Sequence, residues 1–295
     1  MPQKKRQGPS RKLQIGIIFI AFILVFSYVI VIFSPYLNTR QLPSPSTFTS
    51  EEWMSFVPSQ TYLFRYLNIS VLQDFPLLFQ SSVLFSIQDP AMNISISDVT
   101  YDVDLETSNG TGVSIMAMNS SSLSNYSFIL AGGNLNSSVY DNVTLYRLAQ
   151  DPFNGSAGAW ICVSPKAVIL SSGDAPALRA LKSVLDTSSN AFFTNDEFKV
   201  GYQLTTGGKD YLLFTYSEAG NNSYNVDWEM RSAFNGSTIG VTYIFHFPTT
   251  AVLNGNYANL KTLLTTATST YSIDKFGVFD FSYSQGDIRY AILGG

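Results

Sequence analysis

The chain has one cysteine, Cys162, and one histidine, His246, in 295 residues. A single thiol excludes an intramolecular disulfide. Two Cys and His side chains cannot fill a tetrahedral shell, so a Cys/His zinc site is excluded as well, and no metal or cofactor site is read here. Charge is scarce. Asp, Glu, Lys and Arg make up 13% of the residues, about half the share usual in a soluble domain. A net charge of −4 excludes a basic nucleic-acid surface. With 45% hydrophobic residues, disorder driven by charge is excluded too.

The N-terminus supplies the clearest positive signal. Residues 13–33, LQIGIIFIAFILVFSYVIVIF, carry no charge. At ~1.5 Å per residue they span about 31 Å, the thickness of a bilayer's hydrocarbon core. Lys4, Lys5, Arg6, Arg11 and Lys12 precede the run, and the next basic residue is Arg40. The positive-inside rule therefore predicts a cytoplasmic tail over 1–12, a transmembrane helix over 13–33 in contact with lipid, and the rest of the chain outside the plasma membrane. A cleaved signal peptide would have a shorter apolar region and a small-x-small site, and this run ends VIVIFSPYL. A pilin-type leader would run directly into the apolar helix, whereas Gly8 is followed by PSRKL. No second apolar run of spanning length follows, so one pass is expected. Residues 34–50, polar and with three prolines, read as an extended stalk.

Asn-x-Ser/Thr occurs ten times, at Asn68, Asn93, Asn109, Asn119, Asn125, Asn136, Asn142, Asn154, Asn221 and Asn235. Chance in a chain this rich in Ser and Thr gives about four. N-glycosylation outside the membrane is the expected use. Eight of the ten fall between Asn68 and Asn154. The bare stretch around 174–187 and the C-terminal hairpin is then the expected protein-contact surface. A glycosylated exterior without disulfides points to an archaeal cell surface.

Along the chain, TYLFRYLNIS reads as a strand after a short helix at EEWMSF capped by Thr49 or Ser50. NISISDVTYDVDLE alternates, with Val99, Tyr101, Val103 and Leu105 on one face and Asp102, Asp104 and Glu106 on a solvated one. VSIMAMN returns as its hairpin partner, and YSFILAGG, NVTLYRLAQ, GAWICVS and KAVILSS read as four more strands. A helix is predicted over 174–187, with Asp174 as cap and a Leu178, Leu181, Leu185 stripe. NDEFKVGYQL is a short helix capped by Asn195, DYLLFTYSEAG a strand, NVDWEMRSAFNGSTIGVTYIFHFP a hairpin, NGNYANLKTLLTTATS a helix and FGVFDFSYSQGDIRYAIL a last hairpin. The fold class is α+β: a largely antiparallel sheet with few helices on a single face, in two related extracellular units over 51–190 and 191–295.

VPSQTYLFRYLNIS, ILAGG…VTLYRLAQ…AWICVSPKAVILSSGDAPALRALKSVLD and FFTNDEFKVGY together resemble an uncharacterised family of membrane-anchored extracytoplasmic proteins, a domain of unknown function. The resemblance implies a hairpin leading into a helix through a Gly-Asp or Gly-Ser joint, with a second similar unit after it, over most of residues 57–295. It implies no activity and no site residues.

Catalytic chemistry finds little to work with. His246 lies in the alternating strand VTYIFHFP, with Asp210 and Glu218 as possible partners but no G-x-S-x-G elbow. Asp102, Asp104, Glu106 and Asn109 fail the calcium-loop spacing, since Thr107 stands where glycine should. Asp227 and Glu229 share a strand face and read as solvated acids. TTGGKD over 205–210 lacks phosphate-loop spacing and reads as a turn. Cys162, in AWICVSP, reads as a small buried strand residue. SSGDAPALRALKSVLD reads as a strand-to-helix joint, because Asp174 sits where an anion would bind. The expected function is a single-pass, N-glycosylated cell-surface protein that binds or scaffolds a protein partner in the envelope. A carboxylate-dependent extracytoplasmic hydrolase and a solute-binding or sensor ectodomain are the alternatives.

Overall fold

The structure, a computed structural model, describes residues 41–47, 51–72, 96–107, 110–150, 157–173, 175–186, 192–206, 211–218 and 224–287. The chain divides into two compact units, Met1–Gln41 and Leu42–Gly295. Residues 13–33 lie outside the described residues, and no described helix is long and apolar enough to cross a membrane. Thr49, Ser50 and Asp174, the expected caps, also lie outside them.

The second unit is built on one antiparallel sheet of twelve strands. In chain order these are β1 (Thr61–Leu67), β2 (Val99–Thr107), β3 (Gly112–Met118), β4 (Asn136–Tyr140), β5 (Val143–Gln150), β6 (Ala157–Val163), β7 (Ala167–Ser172), β8 (Tyr211–Glu218), β9 (Trp228–Phe234), β10 (Ile239–His246), β11 (Ser269–Ile273) and β12 (Phe276–Tyr283). Across the sheet they run β11-β12-β10-β9-β8-β1-β2-β3-β7-β6-β5-β4. Five α-helices are described: α1 (Ile69–Leu72), α2 (Ser120–Gly132), α3 (Ala175–Leu185), α4 (Asp196–Thr206) and α5 (Thr250–Leu263).

The strand order repeats. β1-β2-β3 is followed by α2 and then β6-β7, with β7 returning beside β3. β8-β9-β10 is followed by α5 and then β11-β12, with β12 returning beside β10. The hairpin β4–β5 is an insertion in the first copy. β1 and β8 pair antiparallel and join the copies. The stretches 51–190 and 191–295 thus contribute to one continuous sheet.

Helices cover both faces, not one. On the first face Leu123, Tyr126 and Leu130 of α2 and Leu253 and Leu260 of α5 pack over Met116, Val241 and Phe279. On the second, Leu181 and Val184 of α3 and Phe198 and Tyr202 of α4 join an aromatic core with Trp53, Phe64 and Phe214. Phe64 on β1 stacks on Phe214 on β8 with centroids 5.8 Å apart, so aromatic packing bridges the joint between the copies.

YSFILAGG, expected as a strand, belongs to α2. Asn119 decides this: its side-chain oxygen accepts a hydrogen bond from the Ser122 amide at 2.9 Å. Leu123, Tyr126 and Leu130 then fall at i, i+3 and i+7 and reach the core. Asn195 caps α4 as expected, accepting from the Glu197 amide at 2.8 Å. α5 starts earlier than expected, because Thr249 accepts from the Val252 amide at 3.2 Å.

Two helical glycines make a matched pair. A Cβ on Gly201 in α4 would lie 2.6 Å from the Trp228 ring, whereas one on exposed Gly255 in α5 would meet nothing within 4 Å. Gly→Ala in a helix gains about 1 kcal/mol. Overpacking costs about 1–3 kcal/mol, and the Trp228 indole is clamped by His246 and Phe276. Gly255→Ala is therefore expected to raise Tm and Gly201→Ala to lower it, as thermal unfolding will show. Equal shifts would mean that Trp228 yields freely.

Candidate functional site

A cleft of about 910 Å³ opens at the end of the sheet where the β4–β5 and β6–β7 turns meet. Ser120, Ser124 and Ser127 of α2 form one wall, and Val184 and Leu185 of α3 another. Asp141, Asn142, Ser164 and Lys166 supply the turn side. Ser164 shapes its turn by donating to the Ala167 carbonyl at 2.9 Å and accepting from the Ala167 amide at 3.0 Å. Lys166 pairs with Glu52 at 2.8 Å, but both side chains are more than half exposed, so the pair contributes little. Serine hydroxyls over an apolar floor suit a neutral polar ligand.

The second constellation surrounds His246, which ends β10 and is 2% exposed. Its ring lies flat on Trp228, with centroids 4.6 Å apart and planes 5° apart. Nδ1 is 3.2 Å from Asp227 Oδ2, and Nε2 is 3.3 Å from Glu197 Oε2. Neither contact is aligned as a hydrogen bond. Lys275 Nζ, from the β11–β12 turn, donates to Glu197 Oε1 at 2.6 Å. Four elements are thus tied together: α4, the start of β9, the end of β10 and the β11–β12 turn.

Burial holds His246 below the ordinary imidazole pKa, and Lys275 adds to this, while Glu197 and Asp227 pull the other way. A neutral imidazole donates from one nitrogen only, so one carboxylate faces a lone pair. Lys275 softens that clash by neutralising Glu197, whose own pKa it lowers. In the unfolded chain the imidazole protonates first as pH falls, near ~6.5. The contribution of this site is therefore present above that pH and is lost as pH falls through the folded value. Lys275→Met is expected to raise the His246 pKa. With one histidine in the chain, its ring signals in a proton NMR titration are unambiguous. An unchanged or lower pKa would contradict this electrostatic reading.

The remaining candidates take other places. Of the expected His246 partners, Asp210 lies outside the described residues, and Glu218 is in register with Trp228, one strand removed. Asp227 turns to His246, whereas Glu229 is in register with Ser217 and Phe245 within the sheet, so the two acids do not form a pair across a cleft. The face of β2 expected to be solvated is only partly so: Asp102 is 4% exposed, whereas Asp104, paired with Arg65, and Glu106 are half-buried. Burial, then the charge of Asp104, pushes the Asp102 pKa well up, against the Arg65 charge and a 3.1 Å hydrogen bond from Ser114 Oγ. Among the described residues no three His, Cys, Asp or Glu side chains could hold a metal ion. Cys162 is fully buried on β6, and burial pushes its thiol up to about 12. Gly207 to Asp210 of TTGGKD lie outside the described residues.

Six sequon asparagines are described. Asn119, Asn125, Asn136, Asn142 and Asn235 are exposed, and Asn68 is half-buried, accepting from the Val71 amide at 3.2 Å. Asn93, Asn109, Asn154 and Asn221 lie outside the described residues. Glu197, Trp228 and Lys275 were not singled out by sequence, since no fixed spacing links them to His246.

No family model and no curated protein matches this chain. Among solved structures it is similar to two crystal forms of TP0453. Form I is 9% identical with a TM-score of 0.49, covering 83% of this chain and 97% of that one. Form IV is 8% identical with a TM-score of 0.48, covering 80% and 94%. Likeness at this level carries nothing about function.

Proposed function

We propose that this is a single-pass, N-glycosylated cell-surface protein, held in the plasma membrane by residues 13–33, whose outer domain binds or scaffolds another component of the envelope. The observation that carries the reading is the uncharged run 13–33 with five basic residues before it and ten sequons after it. The exposure of Asn119, Asn125, Asn136, Asn142 and Asn235 supports it, since a transferase must reach each side chain. We place the partner on the sequon-free elements α3, α4 and β11–β12. Crosslinking of intact cells tests this placement. Crosslinks on those elements are expected, and crosslinks confined to α2 and β4–β5 would overturn it. The serine-lined cleft favours a second reading, a solute-binding ectodomain.

A further inference from the structure

A β-sheet that ends in an exposed strand offers unpaired N–H and C=O groups to any other chain. Proteins blunt such edges with charge, proline, a bulge or a covering element. The two ends of this sheet differ. β11 is half-buried along most of its length. β4 is open: Asn136, Ser137, Ser138 and Val139 are all exposed, Val139 at 74%. Its sequence, NSSVY, has no charge and no proline, and its pairing with β5 runs from Asn136↔Arg147 to Tyr140↔Val143 without a bulge. An uncharged, regular edge carrying an exposed valine is a template for a further strand.

What this edge has instead is two sequons. Asn136 is its first residue. Asn142 stands in the turn to β5, exposed and in the left-handed region at φ 63°. At ~3.3 Å per residue the strand is only about 13 Å long. An added strand must approach within about 4.8 Å along its whole length. We infer that glycans on Asn136 and Asn142 are the guard of this edge: hydrated chains rooted at both ends occupy the space where another strand would pair. The inference rests on the glycosylated reading above and gives two of its sites a specific task.

The test uses the full-length protein, purified in detergent from a host that modifies Asn-x-Ser/Thr, with occupancy read by glycopeptide mass spectrometry and size by light scattering. Asn136→Gln with Asn142→Gly removes both edge glycans, and glycine keeps the left-handed turn. This variant is expected to shift to species of at least twice the native mass. Adding Val139→Lys, a charge at the centre of the edge, is expected to restore the native mass. Asn125→Gln with Asn235→Gln removes as many glycans elsewhere and is expected to leave the mass unchanged. An edge variant of native mass would overturn the inference, as would equal aggregation of both double variants or failure of Val139→Lys to rescue. So would empty Asn136 and Asn142 sites beside occupied ones elsewhere. Ten empty sequons would instead remove the glycosylated reading itself.

Discussion

Trp53→Ala is expected to cost about 3–5 kcal/mol of stability, the range for truncating a large buried aromatic. Trp53 is 2% exposed, in the short 3-10 turn Glu52–Phe56 that leads into β1. Its indole stacks on Tyr66 with centroids 5.0 Å apart and meets Phe193 edge-on at 5.8 Å. Nε1 donates to Glu51 Oε2 at 2.8 Å, and Glu51 Oε1 accepts from the buried Tyr202 hydroxyl of α4. The substitution therefore opens a cavity in the second core and removes one donor from a carboxylate that also orders α4. For a domain of this size 1 kcal/mol shifts Tm by about 2–4 °C, so a fall of about 6–20 °C is expected. Trp53→Phe keeps one aromatic ring but loses the donor and part of the indole's volume, and it is expected to cost less than Trp53→Ala, about 1.5–3 kcal/mol. A loss below about 1 kcal/mol for Trp53→Ala would mean that the turn is not fastened to the sheet as described.

Asp102→Asn is expected to act in the opposite direction at neutral pH. The folded protein holds the Asp102 proton more tightly than the unfolded chain, because the carboxyl is buried beside Asp104. The unfolded carboxyl ionises near ~3.9. As pH rises above that value the unfolded state alone sheds the proton, and stability falls until the folded pKa is passed. Asparagine cannot ionise and still accepts from Ser114 Oγ. The variant is expected to be more stable than the native protein by about 1–3 kcal/mol at neutral pH, the cost of an imperfectly compensated buried polar group. Below the unfolded pKa the two should be nearly equal. Urea unfolding at several pH values checks this, and a less stable variant at neutral pH would mean that Arg65 more than offsets the burial of the charge.

Asp102 also shows where the sequence falls silent. The alternation of β2 is plain, and Tyr101, Val103 and Leu105 do face the aromatic core. Yet alternation says which residues share a face, not whether that face meets water. On the supposedly wet face Asp102 is closed off from water, while Asp104 and Glu106 remain half-buried. Val99 departs for another reason: a bulge between Val99 and Tyr101 turns it to the first face. In α2 the strand-forming letters of YSFILAGG outweighed a helical stripe blurred by exposed Phe128, at 79%, and Ile129. Asn119, legible as a sequon, was equally a cap. The joint at 171–186 was legible from Gly173, at φ 103°, and the amphipathic run after it, although the buried face is Ala177, Ala180, Leu181 and Val184, with Leu178 and Leu185 of the expected stripe half-buried. The His246 group was not, since Glu197, Asp227 and Lys275 come from separate elements and meet only through the sheet.

The central claim, an uncleaved anchor bearing a glycosylated outer domain, is tested most directly on the protein extracted from cell membranes. Peptide and glycopeptide mass spectrometry should find the segment 13–33 retained and glycans on exposed sequons, Asn119, Asn125, Asn136, Asn142 and Asn235 among them. A chain recovered from the soluble fraction, with residues 1–33 removed or with all ten sequons bare, would contradict it.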